Sequence, residues 1–164
     1  MSKRLNLREF QQSLSDRMQA KSRVGDKAST LGVLIAGQHW LVEMADISEV
    51  LPVPPFTHVP LSKKWFRGVA NIRGNLYCIA DIAAYRRKGE VVADSSNRVL
   101  IVAERHAFNA ALLVDRALGL RDARKWHQST HDGQIGYQDE QGILWHKLDV
   151  TDLLNQIEFL QVGI

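Results

Sequence analysis

Residues 66–82, FRGVANIRGNLYCIADI, are the stretch around which the rest of the predicted fold is arranged. Two short apolar segments, residues 69–73 and 76–80, are separated there by Gly74 and Asn75. A glycine followed by an asparagine suits a two-residue type II′ turn, because the first position of that turn has a positive φ. The stretch therefore predicts a β-hairpin whose turn is formed by residues 74–75.

The two faces of this predicted hairpin differ in chemistry, because side chains alternate between the faces of a strand. One face is apolar and is predicted to join the core; its members are Ala70, Ile72, Tyr77 and Ile79. The other face mixes an amide and a guanidinium group with aliphatic side chains; its members are Val69, Asn71, Arg73, Leu76, Cys78 and Ala80. A mixed face of this kind is typical of a recognition surface.

Length and composition indicate one domain, or two small subdomains that share a core, in 164 residues. The apolar fraction of 45% and the charged fraction of 24% are those of an ordinary globular chain. No apolar run is long enough to span a membrane, and residues 1–18 lack the apolar centre of a signal peptide. The single cysteine excludes an internal disulfide and suits a reducing cytoplasm. A net charge of +3 from scattered residues is weak evidence for an anionic partner.

The N-terminal residues 1–29 are predicted to be an amphipathic helix followed by a linker, and residues 30–164 a separate folded domain. Leu7, Phe10, Leu14 and Met18 recur at helical spacing, which gives one apolar stripe within residues 6–20. The stripe either packs on the chain's own domain or docks on a partner or a membrane surface. Residues 21–29 are polar and contain Gly25, as a linker does.

From Leu31 onward the apolar residues follow a period of two, which predicts many short strands. The first group is predicted at residues 31–36, 39–43, 47–51 and the 69–80 hairpin, with a tight turn at residues 37–38. A single helical turn at 62–66 and another at 82–86 interrupt it. The second group is predicted at 98–104, 108–114, 118–120 and 143–148, with a polar, turn-rich loop at 128–142. Many short, closely spaced strands favour small barrels or a sandwich.

The C-terminal residues 149–160 predict one closing helix. Asp149 is suited to cap its first turn, where Asp152 also complements the helix dipole. One apolar stripe at helical spacing follows; its members are Val150, Leu153, Leu154, Ile157 and Leu160.

The sequence contains no recognisable catalytic set, and we expect no metal site and no cofactor. Cys78 lies within a predicted strand with no base beside it in the sequence, which favours a packed thiol over a nucleophile. His127 and His131 have a spacing that occurs in zinc sites, yet no cysteine pair accompanies them, so a loop position is favoured. The pattern is that of a binding protein.

Two basic clusters leave a second class of function open. Residues 86–88 and residues 121–125, with Trp126 adjacent, resemble the phosphate contacts and stacking aromatic of small barrels that bind single-stranded nucleic acid. Solvated loops explain the same residues, and Asp122 interrupts the second cluster. We predict no nucleic acid as a partner and retain a small-barrel nucleic-acid-binding protein as the alternative function.

The hairpin sequence GVANIRGNLYCIADI resembles the signature of CheW-like domains, the adaptors of bacterial chemosensory arrays, in which the pattern is roughly G-V-x-N-L-R-G-x-I-x-P-V-x-D-L. The matching residues are Gly68, Val69, Asn71, Arg73, Gly74 and Asp81. Two departures are Cys78, where the family usually has proline, and Ala80, where a larger residue is common. Cysteine restores a backbone donor that proline lacks, so the strand gains one possible pairing.

The resemblance extends over about residues 30–160 and implies both a fold and a function. The implied fold is mainly β: two small five-stranded SH3-like barrels around a shared core, with an N-terminal and a C-terminal helix. The implied function is a non-enzymatic adaptor that joins a methyl-accepting chemoreceptor to the regulatory domain of a CheA-type histidine kinase. Such an adaptor is cytoplasmic, does not insert into the membrane and is recruited to membrane-bound receptor arrays.

The resemblance also implies where the partners bind. The receptor's helical hairpin is expected at a groove bordered by Ile47, Gly68, Asn71, Arg73 and Gly74, with Gly68 permitting close backbone approach. A second surface around residues 99–114 is expected to meet the kinase, without assignment of single residues. Residues 7–20, LREFQQSLSDRMQA, resemble the N-terminal extension of adaptors in type IV pilus (twitching motility) chemosensory systems.

Overall fold

A computed structural model describes residues 30–163 apart from Asp132, and its secondary structure is mainly β. The strands are β1 (Thr30–Ile35), β2 (Gln38–Glu43), β3 (Ile47–Pro52), β4 (Phe66–Ile72), β5 (Asn75–Asp81), β6 (Arg98–Val102), β7 (Ala110–Val114), β8 (Arg116–Arg121), β9 (His127–His131), β10 (Gln134–Gln138) and β11 (Leu144–Leu148). The α-helices are α1 (Ile82–Tyr85), α2 (Val150–Asn155) and α3 (Ile157–Leu160). The predicted helix at residues 6–20 and the linker lie outside the described residues, so the division at residue 29 stays a prediction.

The described strands form two sheets, which confirms the mainly β prediction. The first sheet has six strands in the order β8-β1-β2-β11-β10-β9, one more than the five predicted. The second has five, in the order β3-β6-β7-β5-β4. The chain changes sheet after β2 and again after β7, so the two sheets do not correspond to the two strand groups seen along the sequence.

The turns of both predicted hairpins lie one residue earlier than the sequence indicated. Ala36 and Gly37 connect β1 to β2, with φ of 51° and 75°; Arg73 and Gly74 connect β4 to β5, with φ of 54° and 86°. Two successive positive φ angles define a type I′ turn, in which glycine occupies the second position and not the first. The predicted turns at residues 37–38 and 74–75 are therefore wrong in register.

The predicted faces of the signature hairpin survive this shift, apart from Arg73, which lies in the turn. Ala70 pairs with Tyr77, whereas the predicted turn placed Ala70 opposite Ile79. Moving the turn by one residue changes each partner by two positions, and a displacement of two leaves every side chain on its face. Ala70 and Ile79 are buried, whereas Asn71 on the other face is exposed.

The core lies between the sheets and includes both faces of the central strands β6 and β7. Every residue of β7 is buried, and in β6 only Arg98 is partly exposed. The prediction of a partner surface around residues 99–114 is therefore wrong for the strands. The exposed residues of this region are confined to the connection between the two strands; they are Glu104, Arg105, Ala107 and Asn109.

The C-terminal helix is capped as predicted but is interrupted. The Asp149 carboxylate accepts a hydrogen bond from the Asp152 backbone N–H at 3.0 Å. Gln156 then adopts an extended conformation, with ψ of 130°, between α2 and α3. The break rotates the apolar stripe, so Phe159 is buried while Ile157 is 71% exposed, contrary to the predicted single stripe.

Two other segments differ from the prediction. The polar stretch predicted as a loop contains the hairpin β9–β10, with β9 at the sheet edge, where polar side chains are tolerated. His127 therefore begins a strand and does not lie in a loop. The predicted helical turn at 62–66 is absent, and Ser62 instead forms an isolated antiparallel bridge with Gly163. The predicted turn after the signature hairpin is confirmed as α1, which begins at Ile82.

Candidate functional site

The turn of the signature hairpin is held in shape by one of the motif's own side chains. Asn71 Oδ1 accepts a hydrogen bond from the Gly74 backbone N–H at 2.9 Å. Arg73 stands between them with a positive φ, a conformation that a non-glycine residue rarely adopts. Asn71 therefore stabilises the turn that fixes the direction of the Arg73 side chain.

Arg73 in turn forms an ion pair with the far edge of the same sheet. Its guanidinium Nη2 donates to Glu49 Oε1 at 2.5 Å, although Glu49 belongs to β3 and Arg73 follows β4. In a flat five-stranded sheet the two edge strands would be about 19 Å apart, at about 4.8 Å per strand. The second sheet must therefore be strongly curved, and the ion pair joins its two edges. The hydrogen bond with Glu49 raises the Arg73 pKa.

Leu76 gives this exposed turn an apolar component. It pairs with Asn71 across the hairpin and is 63% exposed. We call Glu49, Asn71, Arg73, Gly74 and Leu76 together the hairpin tip. An exposed arginine paired with a half-buried glutamate, beside an exposed amide and a leucine, is suited to binding the mixed surface of a protein helix.

The structure does not bring all five predicted receptor-binding residues together at the surface. Asn71, Arg73 and Gly74 are adjacent and exposed, but Ile47 is only 5% exposed and packs in the core at the start of β3. Gly68 is also buried, and the backbone that approaches it belongs to Thr57 of the same chain, which bridges to Val69. Close approach at Gly68 is thus an internal contact.

Sequence reasoning missed Glu49 as the partner of Arg73. Two other acidic residues of this region are engaged elsewhere: Glu43 pairs with Lys147 at 3.1 Å and Asp81 with Arg67 at 3.2 Å. The available signal was a single acidic residue, Glu49, in strand β3. Its pairing with Arg73 depends on the curvature of the sheet, which the sequence does not show.

Asp81, the last matching residue of the signature, organises the chain after the hairpin. Its carboxylate is fully buried and accepts hydrogen bonds from the backbone N–H groups of Ala84, at 3.1 Å, and Val91, at 2.9 Å. Arg67 Nε donates to it at 3.2 Å and Arg67 Nη2 donates to the Val91 carbonyl at 2.8 Å. Asp81 therefore caps α1 and fastens the following loop to β4.

Cys78 is a packed thiol. It is half-buried on β5 and donates through Sγ to the Asn109 carbonyl at 3.4 Å. Burial disfavours the thiolate and raises the pKa of Cys78 to about 11. At neutral pH the group is therefore protonated, which does not suit a nucleophile.

We expect native Cys78 to react with iodoacetamide at pH 8 roughly 100-fold more slowly than it does in the unfolded chain, because a pKa raised by two units lowers the thiolate fraction about 100-fold. The raised pKa also links folding to pH, because the folded state favours the protonated thiol. The stabilisation by the protonated thiol is fully present below the pKa of the unfolded chain and is lost as pH rises toward 11. Mass spectrometry after timed quenching measures both rates. Equal rates in native and denatured protein would contradict the packed position.

The basic clusters are largely engaged in internal contacts. The Arg86 guanidinium lies over the Trp40 ring, 4.4 Å from its centroid. Arg124 donates to Asp122 through Nε at 2.8 Å and Nη2 at 2.6 Å. Arg121 stacks near Trp145, at 5.7 Å. The Asp122 carboxylate occupies the N–H donors of Arg124, whereas the ring contacts of Arg86 and Arg121 use the face of the guanidinium group.

Among the described residues, no three histidine, cysteine or acidic side chains cluster closely enough to hold a metal ion. Within the same part of the chain, no helix has the length and apolar character needed to cross a membrane.

Comparison with known proteins agrees with this architecture. Residues 29–158 match the model of the CheW-like domain family. Protein PilI of Pseudomonas aeruginosa is 33% identical over 93 residues, which is 57% of this chain and 52% of PilI, so the match spans about half of that relative's length. The crystal structure of the scaffolding protein TtCheW from Thermoanaerobacter tengcongensis superposes with a TM-score of 0.67 at 14% identity, covering 79% of this chain and 88% of that one.

The two sheets, the signature hairpin and the family match over residues 29–158 together define a CheW-like domain. The chain belongs to the CheW-like domain family. Over 93 residues it is also similar to PilI, and the resemblance of residues 7–20 to pilus-system adaptors stays a prediction.

Proposed function

We propose that this chain is a non-enzymatic adaptor that couples a methyl-accepting chemoreceptor to the regulatory domain of a CheA-type histidine kinase. Membership of the CheW-like family and the similarity to PilI support a chemosensory system that controls type IV pilus twitching motility. The adaptor is cytoplasmic in this proposal and is recruited to membrane-bound receptor arrays. Residues 1–29 belong to the same proposal as an amphipathic helix and a linker.

The hairpin tip is the observation that carries the proposal. The Arg73 guanidinium has a 71% exposed side chain, and its position is fixed by Glu49 on one side and by the Asn71-braced turn on the other. A fixed, exposed guanidinium group loses little conformational freedom on binding and can donate to backbone carbonyls or carboxylates of a partner helix. Leu76 supplies an apolar contact beside it.

The receptor site that we propose therefore differs in two of the five residues first expected. The proposed receptor contacts are Asn71, Arg73, Gly74, Glu49 and Leu76. Ile47 and Gly68 are buried and support the site from within the domain. The kinase-binding residues are not assigned singly. The exposed connection between β6 and β7 is the part of that region that is free to contribute, since the strands themselves are buried.

We expect Arg73→Ala to weaken receptor binding roughly ten- to a hundredfold, because a charge-assisted contact is lost at a partly desolvated interface. The melting temperature is expected to change little, since an exposed ion pair contributes little to folding. Isothermal titration with the receptor's cytoplasmic helical hairpin measures the first effect, and thermal unfolding measures the second.

Arg116→Ala is the matched control, because Arg116 is also an exposed arginine at the end of a turn but lies on β8 of the other sheet. It should bind the receptor normally. Ile72→Ser, on the apolar face, should instead lower stability by placing a hydroxyl group against the core. Normal receptor binding by Arg73→Ala would refute the proposed site.

A further inference from the structure

A cavity of about 640 Å³ lies where β2, the end of α1 and the two C-terminal helices meet. Trp40 forms part of one wall and the basic run Arg86, Arg87 and Lys88 forms another. Asp152 and Glu158 contribute carboxylates from α2 and α3. No residue of the hairpin tip lines this cavity, so its chemistry is independent of the proposed receptor site.

Two buried hydrogen-bond donors at this cavity lack acceptors. The Trp40 indole Nε1 and the Arg86 Nε have no hydrogen-bond partner among the described residues, and Trp40 is only 4% exposed. The Arg86 guanidinium covers the indole ring at 4.4 Å. A buried donor without an acceptor is costly, and such groups are rare in folded proteins.

The charges at the cavity favour an anionic acceptor. Three basic side chains face two carboxylates in the lining, and the Asp152 carboxylate already accepts a hydrogen bond from Gln156 Nε2 at 3.1 Å. Burial disfavours the charged form of Arg86 and lowers its pKa, although the charge of Asp152 acts in the opposite direction. A carboxylate could accept from the indole and the guanidinium group at once and compensate that charge.

We propose that this cavity binds a carboxylate group, whose oxygens accept hydrogen bonds from Trp40 Nε1 and Arg86. Both nitrogens are covered in this structure, so the Arg86 side chain must rotate off the indole ring as the ligand enters. The carboxylate belongs either to a free small organic acid or to an acidic side chain of a polypeptide. Both sources offer the same chemistry to the two donors.

The test follows the indole N–H signals of the complete chain by two-dimensional proton–nitrogen NMR. The chain has four tryptophans, and Trp40→Phe identifies the signal of interest because it removes that N–H and keeps an aromatic ring. The probes are sodium acetate, for a free acid, and N-acetyl-glutamate amide, for an acidic side chain on a peptide. Sodium chloride at equal ionic strength is the reference titration.

We expect the Trp40 signal to shift saturably with at least one carboxylate probe and not with chloride. Arg86→Gln should weaken that binding at least tenfold, whereas Arg116→Gln, on the exposed strand β8, should leave it unchanged. Tighter binding of the glutamate derivative assigns the site to a polypeptide side chain, and equal or tighter binding of acetate assigns it to a free acid. A Trp40 signal that moves no more than in chloride, or that moves equally in Arg86→Gln, would overturn the proposal.

Discussion

Replacing Gly68 with alanine is expected to destabilise the domain by about 3–5 kcal/mol and to lower its melting temperature by roughly 10 °C. A Cβ at this position would lie 2.2 Å from the Thr57 carbonyl oxygen and 2.7 Å from its carbonyl carbon. The obstacle is backbone that is held by two hydrogen bonds between Thr57 and Val69, at 2.8 and 2.9 Å. The φ of 149° at Gly68 adds conformational strain for any other residue. Differential scanning calorimetry measures the loss.

Gly74→Ala is the matched control for this substitution. Gly74 also has a positive φ, 86°, but a Cβ there would meet nothing within 4 Å. Gly74→Ala is therefore expected to lose only the stability that a positive φ costs a non-glycine residue, about 1–2 kcal/mol. If Gly68→Ala were no less stable than Gly74→Ala, the close approach of Thr57 would not constrain the fold.

Asp81→Ala is expected to cost a similar amount, about 3–5 kcal/mol, for a different reason. The substitution removes a fully buried carboxylate and leaves three donors without their acceptor: the N–H groups of Ala84 and Val91, and the Arg67 guanidinium. Hydrogen exchange should show the loss of protection concentrated in α1 and at Val91. Urea unfolding of the variant and the parent protein measures the change in the free energy of unfolding.

Asp149→Ala provides the comparison, because Asp149 also caps a helix but is exposed. It should cost about 1 kcal/mol, the usual value for a solvated N-cap. An Asp81→Ala variant as stable as Asp149→Ala would mean that the buried network does not hold the loop after the hairpin.

The signature hairpin shows which structural features a local sequence pattern can predict. The alternation of apolar residues predicted its core face correctly, with Ala70 and Ile79 buried and Asn71 exposed on the other face. The mixed face was wrong at Arg73, which lies in the turn, and at Ala80, which is buried. The turn was predicted one residue late, because Gly-Asn and Arg-Gly are both acceptable two-residue turns on local grounds. The type I′ turn is the one in which the Gly74 N–H donates to Asn71 Oδ1, and the sequence pattern did not reveal this hydrogen bond.

The residues of the candidate site likewise fall into those whose position the sequence could predict and those whose position it could not. Asn71, Arg73 and Gly74 could be placed at one turn because they are adjacent in sequence. Glu49 could not be assigned to Arg73, because 24 residues separate them and the ion pair depends on two sheet edges meeting. Ile47 and Gly68 were misplaced at the surface, since their burial depends on β6 and on the segment that crosses at Thr57.

The sequence by itself determined the mainly β fold, the alternating faces of the signature hairpin and the Asp149 cap, because each depends on residues within a few positions of one another. Only the tertiary structure decided which strands share a sheet, that Phe159 and not Ile157 enters the core, and that Glu49 meets Arg73. The physical reason is that these features arise from contacts between distant segments. Their geometry is set by how the sheets curve and pack, and no local period encodes that curvature.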